Sequence, residues 1–255
     1  MEHYYTASTT YYENIDFTER AWVEDKTYID IVKRLESCQA IVEVGCGSAN
    51  ILRHHPHLER HYAGCDFSES LMTNNRTRFP SARFVTITDS PRLPFPDGCA
   101  DAIFSVYVIE HTVYPSIFLD ECHRLLRPGG LFILRCPDFM GPGKLTSQRA
   151  GFTEGNGREK LRRGRWLDAA LTGWDRKVAI PARCASLRRQ LGRRPGFWVN
   201  LAPTCLTDRF QPDVDAVYLT YDREIIHHLR DRIKFDESTN ADPENRIYLV
   251  GHRCL

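Results

Sequence analysis

A short apolar run, Ala40 to Val44, ends in Gly45-Cys46-Gly47-Ser48-Ala49-Asn50, and 21 residues after Gly45 a second short run ends at Asp66. Two glycines one residue apart behind a strand permit a tight turn and a close approach of backbone to a ligand. An acid at the tip of the next strand is placed to hold a ribose. A strand this short and this apolar is buried on both faces, as strands of a parallel sheet are. The spacing predicts strand, turn, helix, strand, and with them a nucleoside-type cofactor.

The alternation continues down the chain. Asn50 to His55 reads as a helix ended by Pro56, and Tyr62 to Asp66 as the second strand. Ser68 is a good N-cap for a helix to about Arg78. Arg83 to Ile87 and Ala102 to Val106 read as strands three and four. Tyr114 to Leu126 is a helix stopped by Arg127-Pro128-Gly129-Gly130, and Leu131 to Arg135 is strand five. Near the other end Asp222 is expected to cap a helix to about Arg232. Ile233 to Asp236 and Arg246 to His252 follow as two strands whose short connection makes them antiparallel. Ahead of the first strand, Trp22, Ile29, Val32 and Leu35 recur at helical spacing between Phe17 and Glu36. The expectation is an α/β fold: a Rossmann-like, mostly parallel seven-stranded sheet with helices on both faces and an antiparallel C-terminal hairpin. Four regions follow: an aromatic, helical cap (1–39), a cofactor-binding core (40–137), a basic insertion (138–215) holding short helices near 158–171 and 182–191, and a closing helix and hairpin (216–255).

The composition narrows the function classes. The nine cysteines are scattered with no CxxC pair, which argues against a disulfide framework. His54, His55, His57 and His61 cluster, but Pro56 breaks the helix that would align them, so no metal is expected. No apolar run nears the ~20 residues that span a bilayer, and the start lacks a signal pattern, so a cytoplasmic protein without membrane partners is expected. Charge is uneven. Residues 144–200 hold 14 Lys/Arg against 4 Asp/Glu, a block of +10 in a chain of net +1. An anionic partner and a solvated helical surface both account for such a block.

An NAD fingerprint fits the glycine turn poorly. Its third small residue falls on Asn50, and Glu43 would repel a pyrophosphate. A cationic nucleoside suits an acid beside the turn. Glu43-Val44-Gly45-Cys46-Gly47-Ser48-Ala49 resembles the E/D-x-G-x-G-x-G signature of class I S-adenosylmethionine-dependent methyltransferases, with Ala49 in place of the third glycine. The resemblance continues through Gly64-Cys65-Asp66-Phe67-Ser68, Asp89 with Leu93-Pro94-Phe95-Pro96-Asp97, Ala100 to Phe104, Glu110-His111 and Leu126 to Leu131. It covers roughly residues 40–136 and, more weakly, 222–255. Ala49 predicts a slightly tighter turn with binding retained.

The resemblance implies roles. Gly45 and Gly47 would admit the methionine part and the ribose, with Cys46 and Ser105 also at the cofactor. Glu43 would help hold the amino group, and Asp66 would accept both ribose hydroxyls. Asp89 would meet the adenine amino group, Ser90 would offer its N–H to the ring, and Phe67 would pack on the adenine face. A hydroxyl acceptor benefits from a general base; His111, Tyr107 and Asp138, near the carboxyl ends of strands four and five, are the candidates. In the family a Glu-His step recurs across different substrates, so a structural role for His111 stays open.

Substrate choice is expected in residues 1–28 and 138–215. There Arg158, Arg162, Arg163, Arg165, Arg188, Arg189, Arg193 and Arg194 favour phosphate or carboxylate. The resemblance implies methyl transfer to O or N of a small or medium metabolite, with an anionic handle: a phosphate-bearing sugar, a carrier-bound intermediate or an acidic natural product. A cofactor-binding subunit without transfer activity and a nucleic-acid methyltransferase remain alternatives. Oligomeric state is left open.

Overall fold

Four residues suffice for the central strand because all four are buried: β1, Ile41–Val44, carries Ile41 and Glu43 on one face and Val42 and Val44 on the other. It pairs in parallel with β2 (Tyr62–Asp66) on one side and β4 (Ala100–Val106) on the other. Beyond β2 lies β3 (Arg83–Thr86). Beyond β4 come β5 (Leu126–Pro137), β7 (Arg246–Arg253) and β6 (Ile233–Phe235), giving the order β3-β2-β1-β4-β5-β7-β6. The first five run parallel, whereas β7 is antiparallel to both neighbours. The order reverses direction beside β1, so the crevice for ligands opens at the carboxyl ends of β1 and β4. The computed structural model describes residues 21–88, 90–138, 157–174, 178, 197, 217–236 and 246–255.

Strand alternation separates two cores. Ile41, Phe104, Ile133 and Val250 meet α2 (Lys26–Leu35), α3 (Asn50–His54) and α4 (Glu69–Arg78) on one face. Helix α2 follows the short α1 (Ala21–Glu24) and begins at Asp25, whose carboxylate caps it by accepting from the Thr27 N–H at 2.7 Å. It buries Tyr28, Ile31, Val32 and Leu35, the one-stripe pattern of a helix lying on a sheet. On the other face Val44, Ile103, Phe132, Leu134 and Leu249 meet α5 (Pro115–Leu125) and α8 (Asp222–Leu229). Leu119, Cys122 and Leu125 of α5 are fully buried, and truncating either leucine to Ala is worth about 2–5 kcal/mol. Helices therefore cover both faces, and β6 and β7 form the antiparallel pair expected of the last two strands.

Three local details differ from expectation. Strand β5 begins at Leu126 rather than Leu131, because Ala100 pairs with Leu126 and Ala102 with Leu131, so Arg127 to Gly130 bulge out of the ladder. Asp222 does not cap α8. Tyr221, in extended conformation, holds the cap position, and Asp222 sits in the first turn, where its charge suits the helix dipole. The helix expected over 158–171 is two helices, α6 (Gly157–Arg162) and α7 (Trp166–Trp174), divided at Gly164 with φ +73°. The helix expected near 182–191 and the aromatic residues before Ala21 lie outside the described residues.

Candidate cofactor-binding site

The turn after β1 is held from below by β2: the N–H groups of Gly45 and Cys46 both donate to the Cys65 carbonyl, at 2.8 and 3.0 Å. The chain then reverses through three left-handed residues, Gly45 (φ +77°), Gly47 (φ +50°) and Ala49 (φ +51°). Gly45 is required twice over, since a Cβ there would lie 2.2 Å from Val108 Cγ2, in the segment following β4. Gly47 has the opposite surroundings. Nothing lies within 4 Å of where its Cβ would be, so the loop offers open space beside bare backbone. Ala49, fully buried, replaces a third glycine without loss of the turn, although the left-handed conformation costs an alanine roughly 1–2 kcal/mol. The effect of Ala49 is thus backbone strain and core packing, more than a tighter turn.

Asp66 closes this loop from the tip of β2. One oxygen accepts from the Gly47 N–H and the other from the Ser68 N–H, each at 3.0 Å. Asn75 of α4 fixes the other side of Gly47 by donating to its carbonyl at 2.8 Å. Burial raises the Asp66 pKa, opposed by these backbone N–H bonds. The Phe67 N–H also bears on this carboxylate, whose roughly four acceptor sites leave room for a hydroxyl donor beside the three backbone groups. Phe67 follows, 43% exposed, an apolar ring beside the acid with no full packing of its own. Ser90 is exposed; Asp89 lies outside the described residues.

Glu43 lies beneath the loop, 5% exposed, and accepts a hydrogen bond from the Tyr62 hydroxyl. Burial pushes its pKa up to about 8; the Tyr62 bond opposes the rise and the charge of Asp66 adds to it. A carboxyl in this condition is largely neutral at pH 7 and ionises when a cation comes near. The Cys46 side chain also points down, with Sγ 3.9 Å from both Met72 Sδ and the Gly47 carbonyl, so its thiol packs beneath the loop. Ser105 is 2% exposed and its hydroxyl donates to the Val44 carbonyl at 2.8 Å. That bond ties β4 to the start of the loop; its hydroxyl is used within the sheet.

The far wall is built by the ends of β4 and β5. Tyr107 leaves β4 at φ +57°, an uncommon conformation for a non-glycine residue, with its N–H on the Arg135 carbonyl at 2.8 Å. Burial pushes its hydroxyl up to about 12, against the pull of nearby Arg135. Arg135 is itself 0% exposed. Its guanidinium lies 4.4 Å from the Tyr28 ring centroid and forks onto both oxygens of Asp25 at 3.2 and 2.9 Å. Arg246 of β7 reaches the same carboxylate at 3.3 Å. The turn Ile109–His111 places His111 half-buried, Nε2 3.9 Å from Glu110 Oε1. The Glu110 carbonyl accepts from the N–H groups of Val217 and Tyr218. Asp138, half-buried, follows the last residue of β5. Tyr107, His111 and Asp138 thus share the carboxyl edge of two adjacent strands.

Sequence reasoning missed Tyr62, Asn75, Val108 and the Asp25–Arg135–Arg246 network. A signal existed for the last, since Arg135 is a lone cation in the apolar run Leu131 to Cys136. In the basic segment Arg158, Arg162 and Arg163 are exposed, whereas Arg165 pairs with Asp168 at 2.7 Å. Arg188, Arg189, Arg193 and Arg194 lie outside the described residues. Among the described residues no group of His, Cys, Asp and Glu could hold a metal, and no helix is long and apolar enough to cross a membrane.

Comparison with known proteins gives the site its chemical context. The methyltransferase domain family matches residues 42–134. The chain is 32% identical over 108 residues to a Mycolicibacterium smegmatis protein named a probable S-adenosylmethionine-dependent methyltransferase, covering 42% of each chain. It is 25% identical over 152 residues to the malonyl-[acyl-carrier protein] O-methyltransferase 1 of Coxiella burnetii, covering 59% of this chain and 50% of that one. It thus spans about two fifths to half the length of these relatives. Among solved structures, a SAM-dependent methyltransferase from Aquifex aeolicus superimposes with a TM-score of 0.53 at 12% identity, over 95% of this chain and 97% of the other; this likeness concerns the fold. The residues present fit that cofactor: open backbone at Gly47, spare acceptor capacity on Asp66, an exposed ring at Phe67, and an acid behind the loop that answers a cation.

Proposed function

We propose that the chain, whose residues 42–134 match the methyltransferase domain family, is a class I S-adenosylmethionine-dependent enzyme transferring a methyl group to an oxygen or nitrogen of a small or medium-sized metabolite that carries an anionic handle. The observation that carries the proposal is the joined geometry of the loop and Asp66, in which one carboxylate both fixes the Gly47 N–H and keeps an acceptor for a ribose. S-adenosylmethionine, when bound, supplies an electrophilic methyl on a sulfonium.

The chain's own residues supply alignment and dryness. Gly45, locked against Val108, sets the distance between the loop and the end of β4, where an acceptor would enter. Alignment of this kind is the main contribution a protein makes to a direct displacement. Glu43, neutral in its buried setting, ionises toward an incoming ammonium and so favours a cationic ligand over a phosphate-bearing one. Tyr107, with its proton held up to about 12, acts as a hydrogen-bond donor to the acceptor rather than as a base. His111 and Asp138 are the groups at this edge that would take a proton from a hydroxyl acceptor. The exposed Arg158, Arg162 and Arg163 support an anionic substrate, since the guanidinium fork pairs with phosphate and carboxylate alike.

The test is calorimetric titration of the whole chain with S-adenosylmethionine and S-adenosylhomocysteine, beside Asp66→Ala. A charge-assisted hydrogen bond to a ribose at roughly 1.5–3 kcal/mol predicts a loss of at least about tenfold in the variant. Methyl-labelled cofactor incubated with a metabolite extract then reports transfer, which should fall with rising salt if the acceptor is anionic. A folded wild-type protein that binds neither ligand ends the proposal.

A further inference from the structure

Helix α7 buries Ala169 but leaves Trp166 73%, Leu167 82% and Trp174 60% exposed, with Ala170 exposed between them. At 3.6 residues per turn these four side chains fall within an arc of about 100°, an apolar stripe about 12 Å long. Its polar surroundings are predominantly basic. Arg158, Arg162 and Arg163 are exposed on α6 and the turn that follows, and residues 157–174 carry five basic against two acidic side chains. Soluble surfaces seldom leave two tryptophans and a leucine in one stripe without a partner.

We propose that α6 and the Trp166–Ala170–Trp174 face of α7 form a docking surface for a small acidic carrier protein that brings the acceptor to the carboxyl edge of the sheet. The inference deepens the reading above and rests on it, because the segment that carries these helices leaves β5 at that edge. Tryptophan and arginine are the residue types that dominate protein–protein hot spots, and a stripe of this spacing suits an apolar groove. The arginine border complements carboxylates and speeds encounter. The two tryptophans expose on the order of 300 Å², well below the ~800 Å² per partner of a stable complex, so the contact is a transient one, as delivery requires. A second copy docking on this face would bring like charges together across a two-fold axis. A helix of nine residues also offers a bilayer little apolar area for adsorption.

The experiment titrates fluorescently labelled acyl-carrier protein, in apo and holo forms, with the whole chain and with Trp166→Ser and Arg162→Glu, both exposed positions. S-adenosylmethionine affinity of each variant serves as the folding control. Saturable binding is expected, weakening at least tenfold in either variant and at least tenfold between about 50 and 300 mM salt, with cofactor affinity unchanged. Absence of saturable binding at about 100 µM chain, or binding indifferent to both substitutions, overturns the proposal. It is equally overturned if Trp166→Ser instead abolishes self-association or adsorption to phosphatidylglycerol vesicles. The cofactor titration keeps the two readings apart: a chain that binds cofactor but no carrier loses only this inference.

Discussion

Glu43→Gln should stabilise the ligand-free protein, by an amount set by pH. The carboxyl of Glu43 is raised from 4.5 to about 8 by burial, against the bond from Tyr62. Below pH 4.5 it is protonated both folded and unfolded and contributes nothing. Between 4.5 and 8 the unfolded chain releases the proton and the folded one keeps it, so stability falls as pH rises; above 8 the loss is complete. Glutamine copies the neutral carboxyl and still accepts from Tyr62, but cannot ionise. At 1.36 kcal/mol per pH unit, its advantage grows from about 1 kcal/mol at pH 5 to about 3 at pH 7 and about 5 at pH 9. For a chain of this size about 3 kcal/mol is a rise of roughly 6–12 °C in Tm. Thermal unfolding of both proteins from pH 5 to 9 reads the divergence. Parallel curves would refute the reasoning, since they would mean that Glu43 is ionised in the folded state at all these pH values.

Gly45→Ala and Gly47→Ala should separate cleanly in urea denaturation. The first drives a Cβ into Val108 at φ +77° and loses about 3 kcal/mol or more; the second, in open space, costs about 1 kcal/mol while weakening cofactor binding. Asp25→Ala strands the fully buried Arg135 guanidinium and should cost about 3–5 kcal/mol by the same assay, whereas replacing exposed Asp231 should cost nothing measurable. Tyr107→Phe should lower kcat yet leave the pH profile of kcat/KM between 6 and 10 unchanged in shape, because a hydroxyl held up to about 12 titrates outside that range. A limb that disappears on this substitution would assign Tyr107 as a base.

The glycine turn and Asp66 were legible because their chemistry is local: two glycines after a buried strand and an acid at the next strand tip fix the loop with few alternatives. The sheet was legible for a similar reason, since short apolar runs alternating with helices leave one way to bury both faces. What escaped needed register. Tyr62 reaches Glu43 only because β1 and β2 align Glu43 with Gly64, where a side chain would collide with Cys46 Sγ and Tyr62 itself. The lone cation at Arg135 was visible in the sequence, but its partner, Asp25, is 110 positions away. Ser105 shows the converse: its place at the end of β4 could be read in the sequence, but not that a backbone carbonyl one strand away claims its hydroxyl. Strand five was shortened because Pro128-Gly129-Gly130 reads as a stop signal, and only pairing with Ala100 reveals that the strand begins before it.

The carboxylate of Asp25 joins Arg246 across 221 positions of chain. The pairing requires β7 in place beside β5 and so closes most of the chain into one loop, which is expected to make it a late contact in folding. Interactions absent from the folding transition state govern how quickly a protein comes apart, not how quickly it assembles. On that ordering, breaking the tie between Asp25 and the two arginines should speed unfolding more than it slows folding and so shorten the time an assembled site persists.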